Sequence, residues 1–253
     1  MHLKIDLNEA LDQLENMREL DSDEGVANAL LKVAMAYLER GKAEMAAEPL
    51  EEAYYYCRRL DNDLGRAHVS LRQGQMELLL GQPVQAAAKY RQALEVYQSQ
   101  QDIAGQVSAL EGLAQALAVG GSPDQAAPAL EQALALTAGH GDQVAAVLLR
   151  QYLAPLYRQM GRYEDALEVY LAMGQAAQEL GDLQRVALAL VGAGSMQAQT
   201  GRTGVALKNL EQAQRAFTEL GQATLASQVE QEMARLRAAQ PSPSPETLEG
   251  RDA

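Results

Sequence analysis

Apolar positions along the chain recur as a triplet of small, large and small residues spaced four and then three apart. The triplets are Ala46-Leu50-Ala53, Ala86-Tyr90-Ala93, Ala126-Leu130-Ala133, Ala166-Tyr170-Met173 and Ala206-Leu210-Ala213, one every 40 residues. Positions three and four apart share one face of an α-helix. Each triplet therefore predicts an amphipathic helix whose small residues let a neighbour approach and whose large residue interlocks with it. Five positions ahead of each triplet stands a glycine: Gly41, Gly81, Gly121, Gly161 and Gly201. Seven positions before each glycine is another small residue, Ala34, Gly74, Ala114, Ala154 or Gly194. A glycine just past a helix end takes positive φ without steric cost. The unit is thus two helices joined by a tight glycine turn.

A second turn follows about 20 residues after each glycine, at Asp61-Asn62-Asp63, Gln101-Asp102, Gly141-Asp142, Gly181-Asp182 and Gly221-Gln222. Its Asp and Asn side chains are suited to cap the next helix, and Pro83 and Pro123 suit a first helical turn, where no donor is lost. Pro49 and Pro155 fall inside predicted helices, where each is expected to bend the helix and free a carbonyl. The segment Asp21-Ser22-Asp23-Glu24-Gly25 aligns with Asp61-Asn62-Asp63-Leu64-Gly65, 40 residues later. Residues 7–20 then read as the second helix of an incomplete leading unit and 223–239 as the first helix of a trailing one, whose polar surface suits the end of a stack. The expected fold is all-α: five full repeats (27–66, 67–106, 107–146, 147–186 and 187–226), a leading half-repeat 7–26 and the trailing helix, about twelve helices in a single solenoid spanning 1–239. Residues 240–253, with Pro241, Pro243 and Pro245 alternating with serine or glutamate, are expected to form a disordered tail.

Small residues at positions 8, 20 and 27 of the hairpin and a large one at 24 resemble the tetratricopeptide repeat. The fourth repeat carries the resemblance best, in Ala154-Pro155-Leu156-Tyr157-Arg158-Gln159-Met160-Gly161-Arg162-Tyr163-Glu164-Asp165-Ala166-Leu167. The period of 40 departs from the usual 34 and is similar to the longer repeats of kinesin light chains, G-protein-signalling modulators and some bacterial regulators. The resemblance implies a right-handed α-solenoid whose first helices line a concave groove, and a protein that binds other proteins or peptides. Carried onto this chain, the groove positions are Asn28, Leu31, Met35 and Leu38 in the first repeat, and His68, Leu71, Gln75 and Leu78 in the second. They continue with Ser108, Glu111, Gln115 and Ala118 in the third, Leu148, Gln151, Pro155 and Arg158 in the fourth, and Leu188, Val191, Ser195 and Ala198 in the fifth. Chaperone-binding members grip a C-terminal carboxylate with Lys and Asn. This chain has neither residue at the matching positions, so no such clamp is expected.

Charge narrows the partners. A net charge of −13 and a pI near 4.7 leave no basic face for phosphates, so neither nucleic acid nor an anionic membrane is an expected partner. Residues 1–64 alone hold 15 Asp/Glu against 7 Lys/Arg. The apolar groove positions of the first two repeats, rimmed by this acid, suit a basic or amphipathic helix or extended peptide. A second copy of the chain is an alternative partner, and a ligand-sensing regulatory module an alternative role.

Catalytic chemistry is sparse. His2, His68 and His140 have no ligand-spaced neighbours. Cys57, the sole cysteine, reads as a packing residue. Gly192-Ala193-Gly194-Ser195 lies mid-helix and reads as close packing rather than a phosphate loop. No enzyme activity, metal or cofactor is expected, and the N-terminal segment lacks the apolar core of a signal peptide, so a cytoplasmic location is the expectation.

Overall fold

The computed structural model describes residues 5–239. His2 and the proline-rich segment 240–253 lie outside the described residues. Among the described residues the chain forms twelve α-helices and no strand, an all-α helical-repeat solenoid. It divides into two compact units, Met1–Asp142 and Gln143–Ala253. The first holds α1 (Leu7–Glu19), α2 (Asp23–Leu38), α3 (Ala43–Arg59), α4 (Asp63–Leu79), α5 (Pro83–Ser99), α6 (Ile103–Val119) and α7 (Pro123–His140). The second holds α8 (Gln143–Gln159), α9 (Tyr163–Glu179), α10 (Leu183–Gln199), α11 (Thr203–Glu219) and α12 (Ala223–Ala238).

Every repeat glycine takes the left-handed conformation, with φ of 68° at Gly41, 73° at Gly81, 79° at Gly121, 74° at Gly161 and 79° at Gly201. Each turn closes the helix before it in the same way. At the first, the Gly41 amide donates to the Leu38 carbonyl at 2.9 Å and the Lys42 amide to the Tyr37 carbonyl at 3.0 Å. This pair of bonds satisfies two carbonyls that the helix end would otherwise leave bare. The alternate turns use the same bonds but put Asp21, Asp61 and Gln101 at positive φ, 49°, 49° and 58°, where the later turns have Gly141, Gly181 and Gly221. Asp tolerates this region better than most side chains. Gln101 gains no such help from its side chain.

Within the full repeats the two kinds of helix start differently, although α1 of the leading half-repeat is capped by Asp6, which accepts from the Asn8 amide at 2.9 Å. First helices of the hairpins are capped by side chains: Ser22 accepts from the Gly25 amide at 3.2 Å, Asn62 from Gly65 at 2.7 Å, Asp102 from Gly105 at 3.0 Å and Asp182 from Arg185 at 2.9 Å. The second helices α3, α5, α7, α9 and α11 start without a side-chain cap. Pro83 and Pro123 fill the first turns of α5 and α7. Pro49, Pro128 and Pro155 lie inside α3, α7 and α8.

Packing follows the triplets. Ala46, Ala86, Ala126, Ala166 and Ala206 are all fully buried, and Leu50, Leu130 and Leu210 are at most 1 % exposed. Each such leucine contributes roughly 1.5–3 kcal/mol through burial. Cys57 is 2 % exposed and faces Gly65, where an added Cβ would stand 2.7 Å from its Sγ. Burial pushes its thiol pKa up, against the pull of Arg66, as suits a packing residue. Within the first unit α2 also touches α4, and α4 touches α6. The first helices therefore form the more closely spaced layer, with the second helices standing outside it.

Candidate functional site

A cavity of about 400 Å³ opens in the first unit, walled by α4 and α6 and closed below by α5. Leu71, Arg72, Gln75 and Leu78 line it from α4, Tyr90 from α5, and Ser108, Glu111, Gly112 and Gln115 from α6. Volumes of this order are typical of ligand sites. Two glycines give the floor its shape. A Cβ on Gly112 would stand 2.2 Å from Tyr90 Cε1, and one on Gly74 would stand 2.9 Å from Tyr90 Cζ. The ring thus lies between the α4 and α6 backbones, 4 % exposed. Burial is the main reason its hydroxyl pKa is pushed up to about 12, with Arg72 lowering it and Glu111 adding to the rise.

The walls carry opposite charges. Arg72 Nη1 donates to Gln75 Oε1 at 3.2 Å, and Gln115 Nε2 donates to Glu111 Oε1 at 3.2 Å. Burial lowers the Arg72 pKa, against the favourable fields of Tyr97, Tyr90 and Glu39. It also raises that of Glu111 above its ordinary 4.5. The folded chain therefore holds the Glu111 proton more tightly than the unfolded chain does. The stability this gives is fully present below pH 4.5 and is lost as pH rises through the higher folded value. Glu111→Gln is accordingly expected to raise the urea midpoint at neutral pH. The gain should shrink to nothing as pH falls below the ordinary carboxylate value, and urea titrations across that range measure it.

The groove positions read from the sequence divide in the structure. Leu71, Gln75, Leu78, Glu111 and Gln115 meet in this cavity. Leu38 does not: at 4 % exposure it belongs to the core with Leu30, Val33 and Leu50. Leu31 and Met35 are half-buried, Leu31 against that same core. His68 sits at the exposed surface with its ring 5.6 Å from that of Tyr97. In the second unit Gln151 is half-buried, and Arg158 lines a separate cavity of about 350 Å³ with Leu188, Val191 and Ser195. Arg72, Tyr90 and Gly112 were not among the expected groove positions. Their signal in the sequence is an alternation: the large triplet residue is tyrosine at Tyr90 and Tyr170, and only there does the residue 22 positions on become glycine, Gly112 and Gly192. The second cavity repeats the pairing, for a Cβ on Gly192 would stand 2.3 Å from Tyr170 Cε1. A third cavity, about 380 Å³, lies among α1, α2 and α3, with Leu11, Leu14 and Met45 beside Glu44, Glu48 and Glu52.

Among the described residues no group of His, Cys, Asp and Glu is placed to hold a metal ion, and no helix is long and apolar enough to cross a membrane.

Residues 25–99 match the tetratricopeptide repeat family model. No curated protein matches the chain. Among solved structures the fold is similar to BtubC of P. vanneervenii, with a TM-score of 0.75 and 15 % identity over 96 % of each chain. It is also similar to a signal transduction ATPase with a tetratricopeptide repeat sensor from Pyrococcus horikoshii. There the TM-score is 0.72 and the identity 17 %, over 84 % of this chain and 33 % of that one. A Rap protein complexed with Competence and Sporulation Factor gives a TM-score of 0.66 at 15 % identity, over 92 % of this chain and 69 % of the other. At these identities the likeness is one of fold.

Proposed function

We propose that this chain, whose residues 25–99 match the tetratricopeptide repeat family model and whose fold generally serves as a non-catalytic interaction scaffold, seats a peptide or helix of a partner protein in the cavity between α4 and α6. The observation that carries this reading is the convergence of Leu71, Gln75, Leu78, Glu111 and Gln115 on one cavity, on the more closely spaced layer of helices. Leu71 and Leu78 beside the fixed polar heads of Gln75, Glu111 and Gln115 offer a partner both apolar and polar contacts, as ligand sites do. First helices laid side by side offer an extended partner a continuous surface that no single helix provides. A metal or cofactor has no part in this role.

Ser108 provides the test. It is exposed at the cavity wall, and its hydroxyl donates to the Ala104 carbonyl of its own helix at 3.0 Å. Ser108→Trp fills the cavity without entering the core. A partner captured by the natural chain, purified and titrated back by calorimetry, is expected to bind the variant at least about tenfold more weakly. The unfolding free energy from urea titration should stay within about 0.5 kcal/mol of the natural chain, as for a surface change. Equal affinity for both chains would move the partner elsewhere.

A further inference from the structure

Arg72 and Glu111 form the least expected feature of the cavity. The chain has 34 Asp and Glu for 21 Lys and Arg, so carboxylates are not scarce. Several arginines at solvated positions find them: Arg18 with Glu52 at 2.7 Å, Arg59 with Asp23 at 2.8 Å and Arg202 with Glu164 at 2.7 Å, with side chains 44–57 % exposed on the arginine side. Those are solvated positions, where an ion pair is worth little. Half-buried Arg72, where a partner would be worth more, makes no ion pair among the described residues. Of its five N–H donors, one bonds the neutral amide of Gln75. Glu39 lies near enough to favour its charge but does not pair with it. Glu111 mirrors this on the facing helix: a half-buried carboxylate that accepts from the neutral amide of Gln115, with no ion pair among the described residues.

Half-buried charges without counter-charges cost stability unless something else repays them. Titratable groups held in this way in a cavity mark functional sites. The two amides are also placed for a purpose beyond solvation, since Gln75 and Gln115 fix the two charged heads against their own helices and so orient them.

Resting on the reading that a partner segment occupies this cavity, we propose that the segment is recognised by an acidic side chain paired with Arg72 and a basic side chain paired with Glu111. The cation is on α4 and the anion on α6, so the two contacts fix how the segment lies across the helices. Leu78 and the edge of Tyr90 receive the aliphatic parts of the same side chains. A segment with balanced charges also meets little long-range repulsion from a chain of net charge −13.

Selection of random peptides displayed on phage against the full chain tests this, using the charge-removing variants Arg72→Gln and Glu111→Gln, with circular dichroism to confirm the fold. The natural chain is expected to enrich peptides carrying both an acidic and a basic residue. Arg72→Gln should drop the acidic requirement and keep the basic one, and Glu111→Gln the reverse. A peptide selected on the natural chain should bind each variant at least about thirty-fold more weakly. Enriched peptides without paired charges, or with preferences the variants leave unchanged, would overturn this recognition. The scaffold reading would survive that result if Ser108→Trp still abolished their binding. Failure of the natural chain to enrich any peptide would remove both. Saturable binding of a free amino acid without peptide enrichment would overturn the peptide assignment and leave a small-molecule pocket.

Discussion

Gly112→Ala is expected to destabilise the first unit by about 2–3 kcal/mol, although glycine to alanine inside a helix ordinarily stabilises by about 1 kcal/mol. The added Cβ would meet Tyr90 Cε1 at 2.2 Å and Cζ at 2.5 Å. The ring cannot retreat, because the Gly74 backbone closes the other side and the side chain is 4 % exposed. Overpacking of this kind forces the helices apart, and a packed interior has no slack to absorb it. Tyr90→Leu in the same chain should recover most of the loss, since Leu50, Leu130 and Leu210 fill the same place in the other repeats and are followed by non-glycine residues. The urea midpoints of the two single variants and the double variant give the coupling directly. A Gly112→Ala chain as stable as the natural one would show that Tyr90 does not fix the spacing of α4 and α6. Gly41→Ala is the control: nothing lies within 4 Å of its added Cβ. Its cost of about 1–2 kcal/mol comes from a backbone φ of 68° alone.

The second large effect lies at Phe217, the chain's single phenylalanine, on α11 and 1 % exposed. It packs with Leu210, Val229 and Met233, and Val229 and Met233 are the buried residues of α12. Phe217→Ala removes the surface on which the last helix sits and is expected to cost about 3–5 kcal/mol. The loss should be uneven. Limited proteolysis should cut α12 well before the rest of the second unit, because among the described residues α12 packs mainly on α11. Cleavage spread evenly over α8–α12 would mean that the unit unfolds as one and that Phe217 is an ordinary core residue.

Much of the fold is legible in the sequence because the repeat encodes it locally. Gly41 and its four counterparts mark helix ends by backbone conformation, the small–large–small triplets mark the packed face, and Asn62, Asp102 and Asp182 mark helix starts. The positive φ of Gln101 is different: its own chemistry gives no sign of it, and only alignment with Gly141 in the next repeat does. The cavity was half legible. Leu71, Gln75, Leu78, Glu111 and Gln115 stand at positions that a groove-forming repeat uses. Arg72 stands one position off that stripe and lines the cavity all the same. Leu38 fits the stripe equally well and is buried instead, packed into the core with Leu30, Val33 and Leu50. A cavity built from three helices depends on distances between them, and spacing along one helix does not contain those distances. The tyrosine–glycine alternation does carry that information, but as a period of 80 residues laid over the period of 40.

Amide hydrogen exchange on the full chain, with and without its captured partner, addresses the central claim most directly. Slowed exchange concentrated in α4 and α6, around Leu71–Leu78 and Ser108–Gln115, is the predicted result. Protection confined to the outer helices α3 and α7, with α4 and α6 unchanged, would contradict it.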